Sequence, residues 1–217
     1  METIDDDGVR VRFSAIHEGP RSPGLDARAA QLCEAVRLMD ALGCCPVLND
    51  GLAAGNAAMR LKGGALLVTP SGRRPGQLDP HELVEVVAVD VETWSVRVRS
   101  DAPDAAPTSD TFLHHAVLLG VPPEPGRCPP AVSLHGHTLH SLAEARALSL
   151  PCSPEETLFS TPEDRAAFVA LLERAPYPTS QVWVRRGHGF VLAADDVQAG
   201  CDALRDLVDR ATALTPG

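Results

Sequence analysis

The chain has 217 residues, a formal net charge of −10 and an apolar fraction of 44%. That length suits one domain whose core needs no disulfides. The acidic balance, with no Lys/Arg cluster to offset it, excludes non-specific nucleic-acid binding, which needs a basic face to release counterions.

No run of about 18 apolar residues offers a membrane span. The amino-terminal METIDDDGVRVRF lacks the apolar stretch of a secretory leader, which points to the cytoplasm. There the six cysteines, Cys33, Cys44, Cys45, Cys128, Cys152 and Cys201, read as reduced thiols in mostly apolar contexts, without CxxC pairing.

Residues 1–22 are expected to form an irregular lead-in, broken by Gly19 and Pro20, ahead of a single domain over 23–213. Leu25, Ala29, Leu32, Val36 and Met39 recur at helical steps, and Gly43 is placed to end that helix. ALLVT (65–69) and VEVVAVD (84–90) read as strands. Trp94, Val96 and Val98 alternate with polar residues as a half-exposed strand does.

After a loop over 100–107, a helix is expected from Thr108 or Ser109 through TFLHHAVLL. The proline-rich VPPEPGRCPP (121–130) must be a loop. AVSLH (131–135) follows as a short strand and 138–148 as a helix. Thr161-Pro162-Glu163-Asp164 is a strong helix start, with a cap, a proline at the first position and acids in the first turn. QVWVRR and GFVLAA are strands separated at Gly187-His188-Gly189, and a last helix begins at Asp195 or Asp196. Interleaved strands and helices of this kind give a layered α/β domain.

Four segments could carry chemistry. In His135-Gly136-His137, imidazoles at i and i+2 of an extended segment point to one side, where both can reach a metal at about 2.0–2.1 Å; a pair of turn histidines reads the same way. His188 lies between two glycines at a strand break, with an open approach, or in a simple tight turn. Thr108-Ser109-Asp110 opens a helix, where hydroxyls and free N–H groups suit an anion, and capping alone would explain it. Gly55-Asn56 and Ser71-Gly72 could bind phosphate oxygens or be ordinary turns.

Taken in order, GLAAGNAAMR (51–60), LLVTPSG (66–72), PTSDTFLHH (107–115), HGHTLH (135–140) and VRRGHGFVLAADD (184–196) make the chain resemble the class II aldolase/adducin family over about residues 25–212. The resemblance implies a single α/β domain with a central mixed or antiparallel sheet covered by helices on both faces. It implies that His135, His137 and His188 bind one divalent metal, usually zinc, with manganese or iron as alternatives. It assigns Gly55, Asn56, Ser71, Gly72, Thr108 and Ser109 to a substrate phosphate, and Asp110 to the catalytic or metal-binding carboxylate.

The family chemistry implied is aldolase-type cleavage of a small hydroxy-carbonyl compound through a metal-stabilised enediolate. Asp110 within TSDT is similar to the sugar-phosphate 4-epimerase branch. An Fe(II) oxygenase and an inactive adducin-like binding module are further alternatives. Family members use tyrosines as proton donors, but Tyr177 is the only tyrosine here; His114 or His140 could take that role, and packing or support behind the metal ligands would explain either equally well. The family is typically tetrameric, which implies a homo-oligomer.

Overall fold

The computed structural model of the chain describes residues 11–48, 51–102 and 104–214. Its first element, β1 (Ser14–His17), lies inside the stretch expected to be irregular. Its four residues are exposed or half-exposed and carry no alternating pattern. Pairing defines the strand instead: it runs parallel to β5 (Ser95–Arg99), with Ser14 opposite Ser95 and His17 opposite Val98.

The helix α1 (Asp26–Ala41) buries Ala29, Leu32, Val36 and Met39, the stripe read from the sequence, and Gly43 follows its end at φ 75°. β2 (Asn56–Arg60) is a strand the sequence reading did not assign. NAAMR has little intrinsic strand preference. It is held between β3 (Leu66–Val68) and β6 (Val132–Gly136), antiparallel to both. β4 (Val84–Asp90) pairs with β3 and, with a register shift between Val86 and Ala88, with β5.

The helix expected through TFLHHAVLL divides into α2 (Thr111–His115) and a wider π turn over Ala116–Gly120. Its N-cap is Asp110, not Thr108 or Ser109, and the Asp110 side chain makes no capping bond. The helix expected over 138–148 contracts to α3 (Leu142–Ala147), because Ser141 and Glu144 form a capping box that sets its start. α4 (Pro162–Arg174) begins at the Thr161 cap as expected. β7 (Val182–Arg185), β8 (Gly189–Ala194) and α5 (Val197–Thr212), capped by Asp196, complete the chain.

The eight strands run in the order β1-β5-β4-β3-β2-β6-β8-β7, antiparallel except for β1 with β5. Side-chain alternation sorts the central strands into two cores. Ala57, Met59, Leu67, Leu134, Phe190 and Leu192 pack with α1 and α5. Ala58, Leu66, Val68, Val191 and Ala193 pack with α2 and α4 on the opposite face. Ser133 and His135 share the second face with Asn56 and Ala58, so β2 and β6 aim polar groups toward α2. No helix among the described residues is long and apolar enough to cross a membrane. All six cysteines are free thiols; Cys128 is exposed rather than in the core.

Candidate metal centre

The last residues of β6 and the turn between β7 and β8 bring three imidazoles together. Among the described residues, His135, His137 and His188 each offer one nitrogen to a common point, with these atoms within 4.8 Å of one another. Ring centroids are 4.8 Å apart for His135–His137, 5.0 Å for His135–His188 and 4.5 Å for His137–His188.

Two glycines permit that convergence. A Cβ on Gly189 (φ 149°) would stand 2.1 Å from the Gly136 carbonyl oxygen, and one on Gly136 would stand 2.6 Å from the Phe190 ring. Only bare backbone lets β6 and the His188 turn approach this closely.

The protonation pattern suits a cation. His135 Nδ1 lies 2.7 Å from the Phe190 carbonyl and must donate to it, which leaves Nε2 as the lone-pair nitrogen. The buried Nε2 atoms of His135 and His188 have no hydrogen-bond partner. Burial drives both conjugate acids below the ordinary imidazole range, against the pull of Asp110. Buried ring nitrogens without a partner are costly, and a divalent metal fits this donor set.

Asp110 forms the inner wall. It is 2% exposed, with Oδ2 3.6 Å from His135 Nε2 and Oδ1 3.9 Å from His188 Nε2. Burial alone would push its carboxyl up. The pull of His135 and His188 in their charged forms, the Arg185 guanidinium and a hydrogen bond from Asn56 outweigh burial and hold it well below the ordinary carboxylate range. Arg185 Nη1 donates to Oδ1 at 3.2 Å and Asn56 Nδ2 donates to Oδ2 at 2.8 Å.

The chain of bonds continues on both sides. Asn56 Oδ1 accepts from His114 Nε2 at 2.7 Å, and His114 Nδ1 in turn meets Ser133 Oγ at 2.9 Å. Arg185 Nη2 donates to Asp164 Oδ1, which also accepts from Thr157 Oγ1 at 2.7 Å.

The remaining expected residues fall in two places. Loops carrying Ser71-Gly72 and Thr108-Ser109 are joined: Thr108 N donates to Thr69 O at 3.0 Å, Ser71 N donates to Ala106 O at 2.9 Å, and Pro70 bridges Pro107. Thr69 Oγ1 accepts from Ala57 N at 3.2 Å, tying both loops to the start of β2. Gly55 precedes that strand at φ 87°, packed against Cys45. Thr108 is buried, while Ser109 and Ser71 are half-buried. The Asn56 amide is engaged by Asp110 and His114.

His114 does not fit the proton-donor role expected of it. Both ring nitrogens are engaged, the ring is 1% exposed, and burial depresses its acid form to about 3. His140 is exposed, and its carbonyl accepts from Gly187 N at 2.7 Å beside the His188 turn. Tyr177 gives its hydroxyl to Asp195 at 2.7 Å.

Sequence reasoning did not single out Arg185 or Asp164. Arg185 looked like one of two polar residues ending a strand, and Asp164 like a first-turn helix acid. The one available signal was a charge within the apolar alternation of VWVR.

Comparisons with known proteins bear on the family and the fold. The model of the class II aldolase and adducin N-terminal domain matches residues 30–214. The chain is 30% identical over 135 residues to a methylthioribulose-1-phosphate dehydratase of Methylococcus capsulatus (strain Bath), covering 62% of this chain and 49% of that protein. It thus spans about half the length of that curated relative.

Among solved structures, a sugar-phosphate aldolase from Thermotoga maritima shares the fold at TM-score 0.63 and 16% identity, over 88% of this chain and 95% of that one. YgbL from Escherichia coli does so at TM-score 0.61 and 18% identity, over 87% and 88%. The L-fuculose-1-phosphate aldolase from Thermus thermophilus gives 0.57 and 19%, over 87% and 93%.

Proposed function

The chain belongs to the class II aldolase and adducin family, and on that premise we propose that it is a metal-dependent lyase of the aldolase type, acting on a small hydroxy-carbonyl substrate that carries a phosphate. The observation that carries this reading is the convergence of His135, His137 and His188 beside Asp110, with orphaned Nε2 atoms on His135 and His188. The three histidines would hold the cation, with zinc the first candidate from a three-nitrogen set and iron or manganese the alternatives. A divalent cation there supplies Lewis-acid stabilisation of the negative charge that develops on a substrate carbonyl oxygen.

The residues of the chain do the rest. Asp110 is ionised and faces His135 and His188, which makes it the carboxylate nearest to a substrate hydroxyl held there. Its low pKa makes it a weak base by itself, so its taking the hydroxyl proton as the adjacent C–C bond breaks would require that hydroxyl to be acidified by the bound cation. The joined loops at Ser71-Gly72 and Thr108-Ser109 offer hydroxyls and backbone N–H groups to the phosphate. Burial of the Asp110 side keeps bulk water from the charged wall. His140, at the rim of the His188 turn, is the remaining histidine for proton return. A tetramer is the assembly expected for such an enzyme, and sedimentation velocity tests it.

A second reading is favoured by the relative from Methylococcus capsulatus. A base beside a polarised carbonyl can instead remove the proton next to that carbonyl, so that a hydroxyl further along the chain leaves as water. Zinc-loaded protein incubated separately with ribulose 5-phosphate and methylthioribulose 1-phosphate separates the outcomes. Released aldehyde supports cleavage, and loss of water to a diketone supports dehydration. Epimer without free aldehyde supports the epimerase branch. A zinc-loaded chain that changes none of these, nor other phosphorylated hydroxy-ketones, overturns the enzymatic reading.

A further inference from the structure

Arg185 ends β7, on the same hairpin that carries His188, with Gly189 as its partner across β8. It is 3% exposed, and its guanidinium lies between two carboxylates that are 2% and 1% exposed. One arm reaches Asp110 Oδ1 at 3.2 Å and the other reaches Asp164 Oδ1. The fork of a guanidinium suits this task, because its donors are fixed in a plane and can serve two carboxylates at once.

Stability does not account for the arrangement. Removing three charged groups from water costs several kcal/mol each, and apolar residues of similar volume often pack as well or better. The three groups also carry a formal charge of −1 between them, which leaves the cluster short of positive charge beside the imidazoles. The shortage lies on the side where the orphaned Nε2 atoms point.

Asp164 brings in a further element. It accepts from Thr157, two residues before Phe159, whose ring stacks on His188 at 5.6 Å between centroids. The segment covering His188 is therefore tied, through Asp164 and Arg185, to the Asp110 carboxylate.

We propose that Arg185, braced by Asp164, is a positioning residue that fixes the Asp110 carboxylate against the three-imidazole cluster and couples it to the covering segment at Thr157–Phe159. The inference rests on the reading of that cluster as a cation site. Arg185 touches no imidazole in this role; it acts through Asp110.

Co(II) titration of the full chain, followed by visible absorption, tests it. Arg185→Met combined with Asp164→Asn removes the clamp and leaves no unpaired charge at position 164, while Asp110 keeps its bond from Asn56 Nδ2; Arg185→Lys keeps the charge but loses the fork. The double variant is expected to bind Co(II) about 10- to 100-fold more weakly, the range for groups that orient a metal site from behind, with a shifted absorption band. Arg185→Lys should recover only part of that loss. In an Asp110→Asn background the same clamp removal should cost less than about twofold, since residues that act through one another are not additive.

Wild-type affinity and band shape in Arg185→Lys, or full additivity with Asp110→Asn, overturns the inference while leaving the cation site standing. A wild-type chain that takes up no Co(II) overturns the reading of the site and the inference with it.

Discussion

Gly189 lies so close to Gly136 that a Cβ on the first would stand 2.1 Å from the carbonyl oxygen of the second. The contact is backbone to backbone, so no side chain can rotate away to make room. It also lies between His135 and His188, which makes it a test of whether fold and site share one constraint. Gly189→Ala should force β6 and β8 apart and cost about 2–4 kcal/mol, within the range for a substitution that the native backbone cannot accept. Metal uptake should fall with it. Gly136→Ala meets the Phe190 ring instead, at 2.6 Å. An aromatic side chain has some freedom to shift, so this variant should lose less. Urea midpoints of the two variants measure the order, and equal losses would contradict it.

Metal binding should appear as stability. A ligand that binds only the folded chain at about 100 times its Kd adds about 2.7 kcal/mol. For a domain of this size that corresponds to a rise in Tm of roughly 5–10 °C. Zinc added to chelator-treated protein should give such a rise, and His188→Ala should abolish most of it. The same zinc-dependent shift in His188→Ala as in the wild type would remove this histidine from the ligand set.

The HxH on a strand and the histidine between glycines at a strand break were visible in the sequence, but each also reads as a turn; only the resemblance to the class II aldolase/adducin family joined the three imidazoles into one set. The two-sided sheet was legible more directly, since GFVLAA and VEVVAVD carry strand patterns of their own. β1 and β2 were not. NAAMR becomes a strand only because β3 and β6 flank it, and Ser14–His17 only because β5, some 80 residues later, offers an edge. Arg185 and Asp164 were invisible for a related reason. A lone charge at a strand end and an acid in a first helical turn each have a sufficient local explanation. Only the tertiary approach of β7 to α4 makes them partners.

The burial of His114 has a pH signature. Its acid form is depressed to about 3 from an ordinary 6.5, so the folded chain binds fewer protons than the unfolded chain below about pH 6.5. The stabilisation from a neutral His114 is therefore complete above that pH and shrinks as pH falls toward 3. The slope is about 1.4 kcal/mol per pH unit for one group, or about 2 kcal/mol between pH 6.5 and 5. Urea unfolding at pH 7.5 and pH 5 checks the sign. His114→Gln keeps an amide that can bond Asn56 and should show a pH dependence smaller by about that amount. An unchanged dependence would mean that His114 is not the group titrating.

Asn56 is where the carboxylate wall and the buried histidine meet. Its Nδ2 donates to Asp110 Oδ2 at 2.8 Å and its Oδ1 accepts from His114 Nε2 at 2.7 Å. An amide is the one side chain of this size that offers a donor in one direction and an acceptor in the other. Asn56→Asp replaces the donor with an oxygen, so two carboxylates face each other inside the protein. One must then take a proton or the pair must separate. Asn56→Leu removes both bonds but adds no charge, leaving His114 Nε2–H and one lobe of Asp110 unpaired. The expected order of stability at pH 7.5 is wild type, then Asn56→Leu lower by about 1–3 kcal/mol, then Asn56→Asp lower still. At pH 5 the added carboxyl is more easily protonated and can donate to Asp110, so the gap between the two variants should narrow or reverse. Co(II) affinity should follow a different order, because the extra carboxylate favours a cation even where it destabilises the apo chain. Weaker Co(II) binding in Asn56→Asp than in Asn56→Leu would show that the wall is set by shape and not by charge.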